Sequence, residues 1–296
     1  MNKTMKTIKL KLLLLVLASA FSLQPSALHA QGSLTPSGTP APTMKSLDQI
    51  EPRTPIATNT TPGDGAALFI ISQPGSYYLT ENIVGVSGKN GILVTANNVT
   101  LDLKGFSVLG ASNSENGIII FSSSPNLTIR DGTISGWTNS SSYGVICQTT
   151  NVIFERLTIS GNFSGLYCGG NTVVENCTVS GNNGIGITVF GSDSLVRGNR
   201  CLGNNAANVG GTTSLVVFGS NNRIEGNHVT STGAGGYGIG IISSASYTNN
   251  IVTQNSVAGS GANNYSFNAS QIVGPLITNT VSGIITNSNP WANFSF

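Results

Sequence analysis

Charged side chains are scarce in this chain. Asp, Glu, Lys and Arg together make up 8% of its 296 residues, against roughly 25% in an ordinary globular domain. Four of the 13 basic residues lie among the first eleven positions, so the remainder carries 9 basic and 11 acidic residues and a net charge of −2. This balance excludes a basic surface of the kind that binds nucleic acid or a membrane.

Histidine and closely spaced cysteines are also missing. The chain has two histidines, of which only His228 lies outside the first thirty residues, and its four cysteines include no Cys-x-x-Cys pair. Zinc sites are usually built from such clusters. The sequence therefore predicts no metal site of that kind, and His228 is expected to be a surface or corner residue.

Long apolar runs are absent as well. The longest begins at Leu12, follows four lysines and ends near Ala18, which is too short to span a membrane. Small residues follow it, as in a secretory signal peptide. We predict a signal peptide over residues 1–30, cleaved after Ala30 or alternatively after Ala20, then a Pro/Ser/Thr-rich linker over 31–46. The protein is expected to be exported and to lie outside the cell, on its surface or in the periplasm.

One short pattern recurs eight times along the rest of the chain. A polar corner is followed by strand-forming residues, a polar pair and another apolar residue. The copies include NVTLDLKGF, NLTIRDGTI, NVIFERLTI, NTVVENCTV, DSLVRGNRC, NNRIEGNHV and NNIVTQNSV, with GPLITNTVS as a looser eighth. Their aligned apolar residues are Leu101, Ile129, Phe154, Val174, Val196, Ile224, Val252 and Ile277. Intervals of 20 to 28 residues between these positions are typical of a solenoid.

A second strand signal precedes each of the better copies, as in GILV from Gly91 and GIII from Gly117. Alternating apolar residues in both strands indicate that one side of each strand points into a core. We predict an all-β fold: a parallel β-helix of about eight to nine coils with capped ends. The expected boundaries are an N-terminal cap and first coil over 47–90, repeats over 91–285 and a C-terminal cap over 286–296, with Trp291, Phe294 and Phe296 covering the last coil.

These repeats resemble the right-handed parallel β-helix of the pectin-lyase-like superfamily. The segments EPRTPI, PGSYYLTENI and NVTLDLKGF, between Leu47 and Phe106, are similar to a group of exported bacterial β-helix repeat proteins, most without an assigned activity. The resemblance implies the fold strongly and the chemistry hardly at all. Polygalacturonases of the superfamily carry an acid directly before a strand-opening glycine, and here those positions hold Asn90, Asn116, Tyr143, Ser164, Asn183 and Tyr237. A polygalacturonase is therefore excluded.

Lyases of the same superfamily use carboxylates to hold calcium and an Arg or Lys as base. One repeat position supplies charges at coil spacing, in the order Asp102, Arg130, Glu155, Glu175, Arg197 and Glu225, and the next position supplies Asp131 and Arg156. The candidate catalytic residues are Asp131, Glu155, Arg156 and Glu175. Stacking of Glu155 on Glu175 would suit a shared cation. The competing interpretation, which we favour, is a solvated ladder in which arginines pair with the acids.

Aromatic residues offer a second candidate site. Trp137, Tyr143, Phe163 and Tyr167 fall at corners or strand starts of three successive coils. Exposed together, they would form a platform for sugar rings. For Phe163 and Tyr167, packing against the core is the alternative. Two of the cysteines, Cys147 and Cys168, share a position in neighbouring coils, where they would either form a disulfide or fill space as free thiols.

Two functions follow. The favoured one is a noncatalytic exported protein that binds extracellular or envelope polysaccharide, or has a structural role at the surface, without a cofactor. The alternative is a calcium-assisted polysaccharide lyase of the pectate-lyase type, acting through the region of Glu155 and Glu175. Neither requires nucleic acid or a membrane span, and the oligomeric state is left open.

Overall fold

The computed structural model of the protein describes residues 52–121, 123–206, 213–231, 236–241, 246–261, 263–268, 270–278 and 287–296. The predicted signal peptide, the linker and residues 47–51 of the N-terminal cap lie outside them, so the proposed domain boundaries stay predictions. Within the described ranges the regular structure is β-strand, and no helix there is long and apolar enough to cross a membrane.

Short strands follow one another along the whole described chain. The first fourteen are β1 (Thr54–Pro55), β2 (Ala67–Ile71), β3 (Gly75–Tyr78), β4 (Ile83–Val84), β5 (Asn90–Val94), β6 (Val99–Asp102), β7 (Ser107–Leu109), β8 (Ile118–Ile120), β9 (Leu127–Ser135), β10 (Tyr143–Cys147), β11 (Val152–Ser160), β12 (Ser164–Gly169), β13 (Thr172–Glu175) and β14 (Thr178–Ser180). The remainder are β15 (Ile187–Phe190), β16 (Leu195–Arg197), β17 (Arg200–Asn204), β18 (Thr213–Phe218), β19 (Arg223–Glu225), β20 (His228–Ser231), β21 (Tyr237–Ile241), β22 (Ile251–Thr253), β23 (Ser256–Ala258), β24 (Asn263–Phe267), β25 (Ile272–Val273), β26 (Leu276–Thr278) and β27 (Asn293–Ser295).

These strands pair in parallel with their counterparts in the next coil, and the pairing forms a β-solenoid. One sheet contains nine strands, in the order β2-β5-β8-β10-β12-β15-β18-β21-β24. The other eighteen strands form a second, bent sheet in which β6, β9, β11, β13, β16, β19 and β22 stack along one direction. Strands of successive coils are about 4.8 Å apart in such a stack.

The aligned apolar column forms the centre of the core. Each predicted member from Leu101 to Val252 pairs with the next, and all seven are buried. The eighth prediction is wrong: Val273, not Ile277, pairs with Val252, while Ile277 pairs with Phe294. Gly274 and Pro275 separate β25 from β26, and proline cannot continue a strand ladder, so the last repeat is shifted by four residues.

Asparagine makes the corners. A residue one or two positions before the strand has a positive φ in seven successive coils, at 50° to 64°: Asn98, Asn126, Asn151, Asn171, Asp193, Asn221 and Asn249. Asn and Asp tolerate this left-handed conformation better than other non-glycine residues. The polar run before each repeat is therefore a conformational requirement of the coil.

Buried asparagines also hold the coils in register. The Nδ2 groups of Asn199, Asn227 and Asn255 each donate to the Oδ1 atom of the next member of the series, which ends at Asn293, over 2.9 to 3.1 Å. These four side chains are almost inaccessible to solvent. Buried amides are costly unless their hydrogen bonds are satisfied, so a shift of one coil against its neighbour would leave several groups unpaired.

Candidate functional site

The two long sheets present different side chains to solvent. We call the surface of β6, β9, β11, β13, β16 and β19 the charged face. Its charged column pairs coil by coil as predicted, in the order Asp102, Arg130, Glu155, Glu175, Arg197 and Glu225. Sequence reasoning therefore placed every member of this column in the correct register.

Each acid of this column forms an ion pair with at least one arginine. The ion pairs join Arg53 and Arg130 to Asp102 (3.4 and 3.5 Å), Arg156 to Glu155 (2.8 Å), Arg197 to Glu175 (2.6 Å) and Arg223 to Glu225. Like charges opposite each other destabilise neighbouring strands. The stacked pair of Glu155 and Glu175 is tolerated here because Arg156 pairs with Glu155 and Arg197 pairs with Glu175.

Arg156 connects the two predicted acidic positions. Its guanidinium donates to Asp131 over 2.6 and 2.9 Å and to Glu155 over 2.8 and 3.0 Å. Hydrogen bonding from Arg156 holds the pKa of the Asp131 carboxyl below its usual range, and both carboxylates raise the pKa of Arg156. The structure thus brings the four predicted catalytic residues together, but as a neutralised ion-pair network.

This network is a poor calcium site. Calcium takes six to eight oxygen ligands, whereas Glu155 directs both carboxylate oxygens to Arg156. No group of three or more acidic, histidine or cysteine side chains among the described residues is arranged to hold a metal ion. The residues of the lyase alternative therefore do not fit the ion that it requires.

The predicted exposure of Trp137 in the aromatic platform is wrong. Its side chain is fully buried, and its Nε1–H donates to the carbonyl oxygen of Val108 over 3.1 Å. A Cβ atom on Gly117 would lie 2.9 Å from Nε1, so this glycine makes the space that the indole fills. Trp137 is consequently a core residue and is unavailable to a ligand.

Tyr143 and Tyr167 are partly exposed and belong to a longer series of rings. Tyr143 meets Tyr167 edge to face with ring centroids 5.8 Å apart. Tyr167 stacks on Phe190 at 6.0 Å, and Phe190 contacts Phe218 at 5.9 Å. We call these four rings the aromatic strip. Phe163 is half-buried at a corner and is not part of the strip.

Phe190 and Phe218 were missed by the sequence analysis. They end β15 and β18 and pair with each other in register, next to the inward-facing Val189 and Val217. Period-two alternation places the residue after an inward valine on the outer surface. The same alternation in the sequence, with each phenylalanine directly after an inward valine, is the signal that predicts their exposure.

The aromatic strip lies on a sheet whose strands contain no charged residue at all. The nine strand sequences are ALFII, NGILV, III, YGVIC, SGLYCG, ITVF, TSLVVF, YGIGI and NNYSF. We call its outer surface the uncharged face. Phe190 is 55% exposed, and Phe121, directly after β8 of the same sheet, is 42% exposed. Burial in this apolar setting raises the pKa values of Tyr143 and Tyr167.

The four cysteines are buried free thiols. Cys147 and Cys168 follow residues that pair between neighbouring coils, as predicted, but no disulfide joins them. Burial raises the pKa of Cys147 to about 11 and that of Cys168 well above its usual range. Of the two alternatives from sequence, the structure shows space-filling thiols.

Comparison with known proteins agrees with this architecture. Residues 116–289 match the family described as "Right handed beta helix region". The chain belongs to the right-handed β-helix family. This confirms the predicted all-β, right-handed parallel β-helix, and the structure contains about eight coils.

One solved structure is also similar to this right-handed β-helix protein. The crystal structure of Dettilon tailspike protein (gp208) is 15% identical, over 78% of this chain and 60% of that chain, with a TM-score of 0.39. The protein thus spans somewhat less than two thirds of that tailspike chain. No curated protein matches this sequence.

Proposed function

We propose that this protein is a noncatalytic, exported surface protein that binds neutral polysaccharide along its aromatic strip. The observation that carries the proposal is the series of ring contacts near 6 Å from Tyr143 to Phe218 on a face without charged strands. Aromatic rings offer large, rigid apolar surfaces, and the C–H faces of sugar rings pack against such surfaces.

The direction of the strip supports a linear ligand. Its rings belong to β10, β12, β15 and β18, which are successive strands of one sheet. The strip therefore runs along the solenoid axis, and a polysaccharide chain lying on it would contact one ring per coil. Exposed apolar patches rimmed by polar residues commonly mark binding sites.

The charged face supports the same choice by its ion pairs. An acidic polysaccharide would have to compete with Glu155, Glu175 and Asp131 for their arginines. A neutral polysaccharide on the uncharged face would not have to displace any ion pair of the protein. We therefore rank the calcium-assisted lyase below the binding protein.

Retention on immobilised polysaccharides tests this function. The protein purified after export would be applied to neutral and acidic polysaccharides with and without calcium, and the absorbance of unsaturated uronates would be read in parallel. We expect retention by a neutral polysaccharide, no absorbance change and at least a tenfold weaker retention of the variant Tyr167→Ser/Phe190→Ser.

The matched control removes exposed apolar side chains elsewhere. Val84 is 61% exposed and Ile153 is 37% exposed, and neither belongs to the uncharged face. The variant Val84→Ser/Ile153→Ser should be retained like the unmodified protein. Equal retention of the aromatic variant, or calcium-dependent uronate absorbance, would show that the proposal is wrong.

A further inference from the structure

A groove of about 350 Å³ lies where the strand stack of the charged face continues from β19 to β22 and β25. Its floor is a column of three successive coils, because Arg223 pairs with Ile251 and Ile251 pairs with Ile272. The first two of these side chains point outward, since the residues that follow them, Ile224 and Val252, are fully buried. We call this space the C-terminal groove. Its volume is within the range of pockets that hold small ligands.

The wall of the C-terminal groove is the turn that carries Trp291. The N–H of Trp291 donates to the Oδ1 atom of Asn289 over 2.9 Å, and the Nε2 group of Gln254 donates to the carbonyl oxygen of Pro290 over 2.8 Å. A Cβ atom on Gly274 would collide with the carbonyl oxygen of Trp291, so glycine is required for this close approach. The indole, which is 51% exposed, is therefore held in place beside the floor.

A buried hydroxyl in the C-terminal groove lacks a partner. Thr253 lines the groove and is 5% exposed, yet its Oγ1 atom has no hydrogen bond within the part of the chain that the structure describes. Thr253 pairs with Glu225 and so continues the outward-facing charged column. Burial of a hydroxyl without a hydrogen bond is destabilising, so a ligand that hydrogen-bonds with Oγ1 would relieve that cost.

Arg223 offers hydrogen-bond donors while its charge is neutralised. Its Nε–H donates to the Glu225 carboxylate, and its two Nη groups have no hydrogen bond to any described residue. Ligand hydroxyl groups can accept hydrogen bonds from the Nη groups without displacing Glu225. A ligand carboxylate would have to compete with Glu225 for the same guanidinium. The groove therefore favours a neutral, hydroxyl-rich ligand over an acidic one.

We propose that the C-terminal groove binds a neutral sugar unit. The indole of Trp291 packs against the C–H face of the sugar ring, while Arg223 and Thr253 hydrogen-bond with its hydroxyl groups. A mainly apolar pocket with a few placed polar groups is the usual composition of a small-ligand site. The inference does not depend on the aromatic strip, because the groove is built on β19, β22 and β25 and the strip on the nine-stranded sheet.

Tryptophan fluorescence of the exported protein tests the proposal. The chain has two tryptophans, and Trp137 is fully buried, so a change in emission during a titration reports on Trp291. Cellotetraose, maltotetraose and mannotetraose serve as neutral probes and trigalacturonate as the acidic probe. We expect a saturable blue shift with at least one neutral probe and no shift with trigalacturonate.

The variant Thr253→Val separates binding from folding. It removes the hydroxyl but keeps the branched side chain, so isothermal titration calorimetry should show about threefold to tenfold weaker binding of the responding probe. Its melting temperature should not fall, because the Oγ1 atom makes no hydrogen bond to a described residue. The control Thr178→Val makes the same change at a half-buried position of β14 and should bind like the unmodified protein.

Two further variants locate the site. Trp291→Ala should weaken binding by about tenfold, whereas Tyr167→Ser/Phe190→Ser should leave the affinity for the probe unchanged even if it abolishes retention on polysaccharide. The absence of a response to every neutral probe, or a response to trigalacturonate, would overturn the proposal. An affinity that survives Thr253→Val and Trp291→Ala, or that is lost with Tyr167→Ser/Phe190→Ser, would do the same.

Discussion

Strands β11 and β13 on the charged face and strands β12 and β15 on the uncharged face belong to the same region of the solenoid, yet they present opposite chemistry to solvent. On the first pair, Glu155 stacks on Glu175 and each acid is paired with an arginine. On the second pair, Tyr167 stacks on Phe190 and their strands have no charge. In a parallel solenoid, equivalent positions of successive repeats stack on one another. Each face therefore carries one class of side chain, charged or uncharged, along the solenoid axis.

The difference supports the uncharged face as the proposed binding surface. The acids of the charged face already have partners within the chain, and an exposed ion pair contributes little stability. The rings of the aromatic strip have partners only at their sides, and Phe190 remains 55% exposed. The charged face satisfies itself, whereas the uncharged face retains apolar surface that a ligand can cover.

The largest expected effect separates core aromatics from surface aromatics. The substitution Trp137→Ala should lower the free energy of unfolding by about 3–5 kcal/mol, because it leaves a cavity in the core. Phe190→Ala, on the exposed strip, should cost less than about 1 kcal/mol. Guanidinium unfolding measures both. Similar losses for the two variants would mean that the strip is part of the core and not a surface.

A smaller effect tests the neutrality of the charged face. Removing the guanidinium with Arg156→Ala should leave Asp131 and Glu155 with only the longer contacts to Arg130, at 3.6 and 3.7 Å, so that calcium becomes a ligand of this region. We expect 10 mM calcium to raise the melting temperature of this variant by about 2–4 °C and to leave the unmodified protein unchanged.

The matched control for this variant is Arg200→Ala. Arg200 is exposed on β17 and makes no ion pair among the described residues, so its removal uncovers no carboxylate. A calcium response of the unmodified protein, or an equal response of the Arg200 variant, would contradict the assignment of Arg156 as the neutralising group.

The pH dependence of the same network should be weaker still. Arg156 lowers the folded-state pKa of Asp131, so the pair stabilises the protein above the unfolded pKa near 4 and loses this effect as the pH falls through the folded value. We expect Asp131→Asn to lower the melting temperature by about 1–2 °C at pH 7. At pH 2 the two proteins should differ less. A difference that grows in acid would show the opposite sign of coupling.

The smallest expected effect concerns salt. Binding along the uncharged face should be insensitive to ionic strength, because no strand of that sheet carries a charge that salt can screen. Retention on a neutral polysaccharide should therefore be the same at 50 mM and 500 mM sodium chloride. Retention that falls steeply with salt would indicate that the polysaccharide binds to the charged face instead.

Register was predictable from the sequence, whereas the direction of corner residues was not. The order of Asp102, Arg130 and Glu155 in one column follows from repeat alignment alone. Trp137 was placed at a corner as an exposed ring, but the turn after Gly136 directs it inward to Val108. A corner has no two-residue period, so its side chains cannot be assigned to a face by counting.

The last coil shows a second limit. The repeat pattern aligned Ile277 with Val252, but Val273 holds that position because Gly274 and Pro275 break the strand. A loose copy can be aligned in more than one way, and only hydrogen bonding to the preceding coil decides between the alignments.

The sequence by itself determined the all-β parallel solenoid, because apolar residues at intervals of 20 to 28 positions and polar asparagine corners are local signals that every coil repeats. The right-handed coil was implied by the family resemblance and is confirmed by the family match. The tertiary structure decided which side chains meet. Contacts within and between coils pair Glu155 with Arg156 and Glu175 with Arg197. Such contacts also bury Trp137 and bring the ring of Tyr167 against that of Phe190. Such contacts are set by the stacking of coils 20 or more residues apart, which no local pattern specifies.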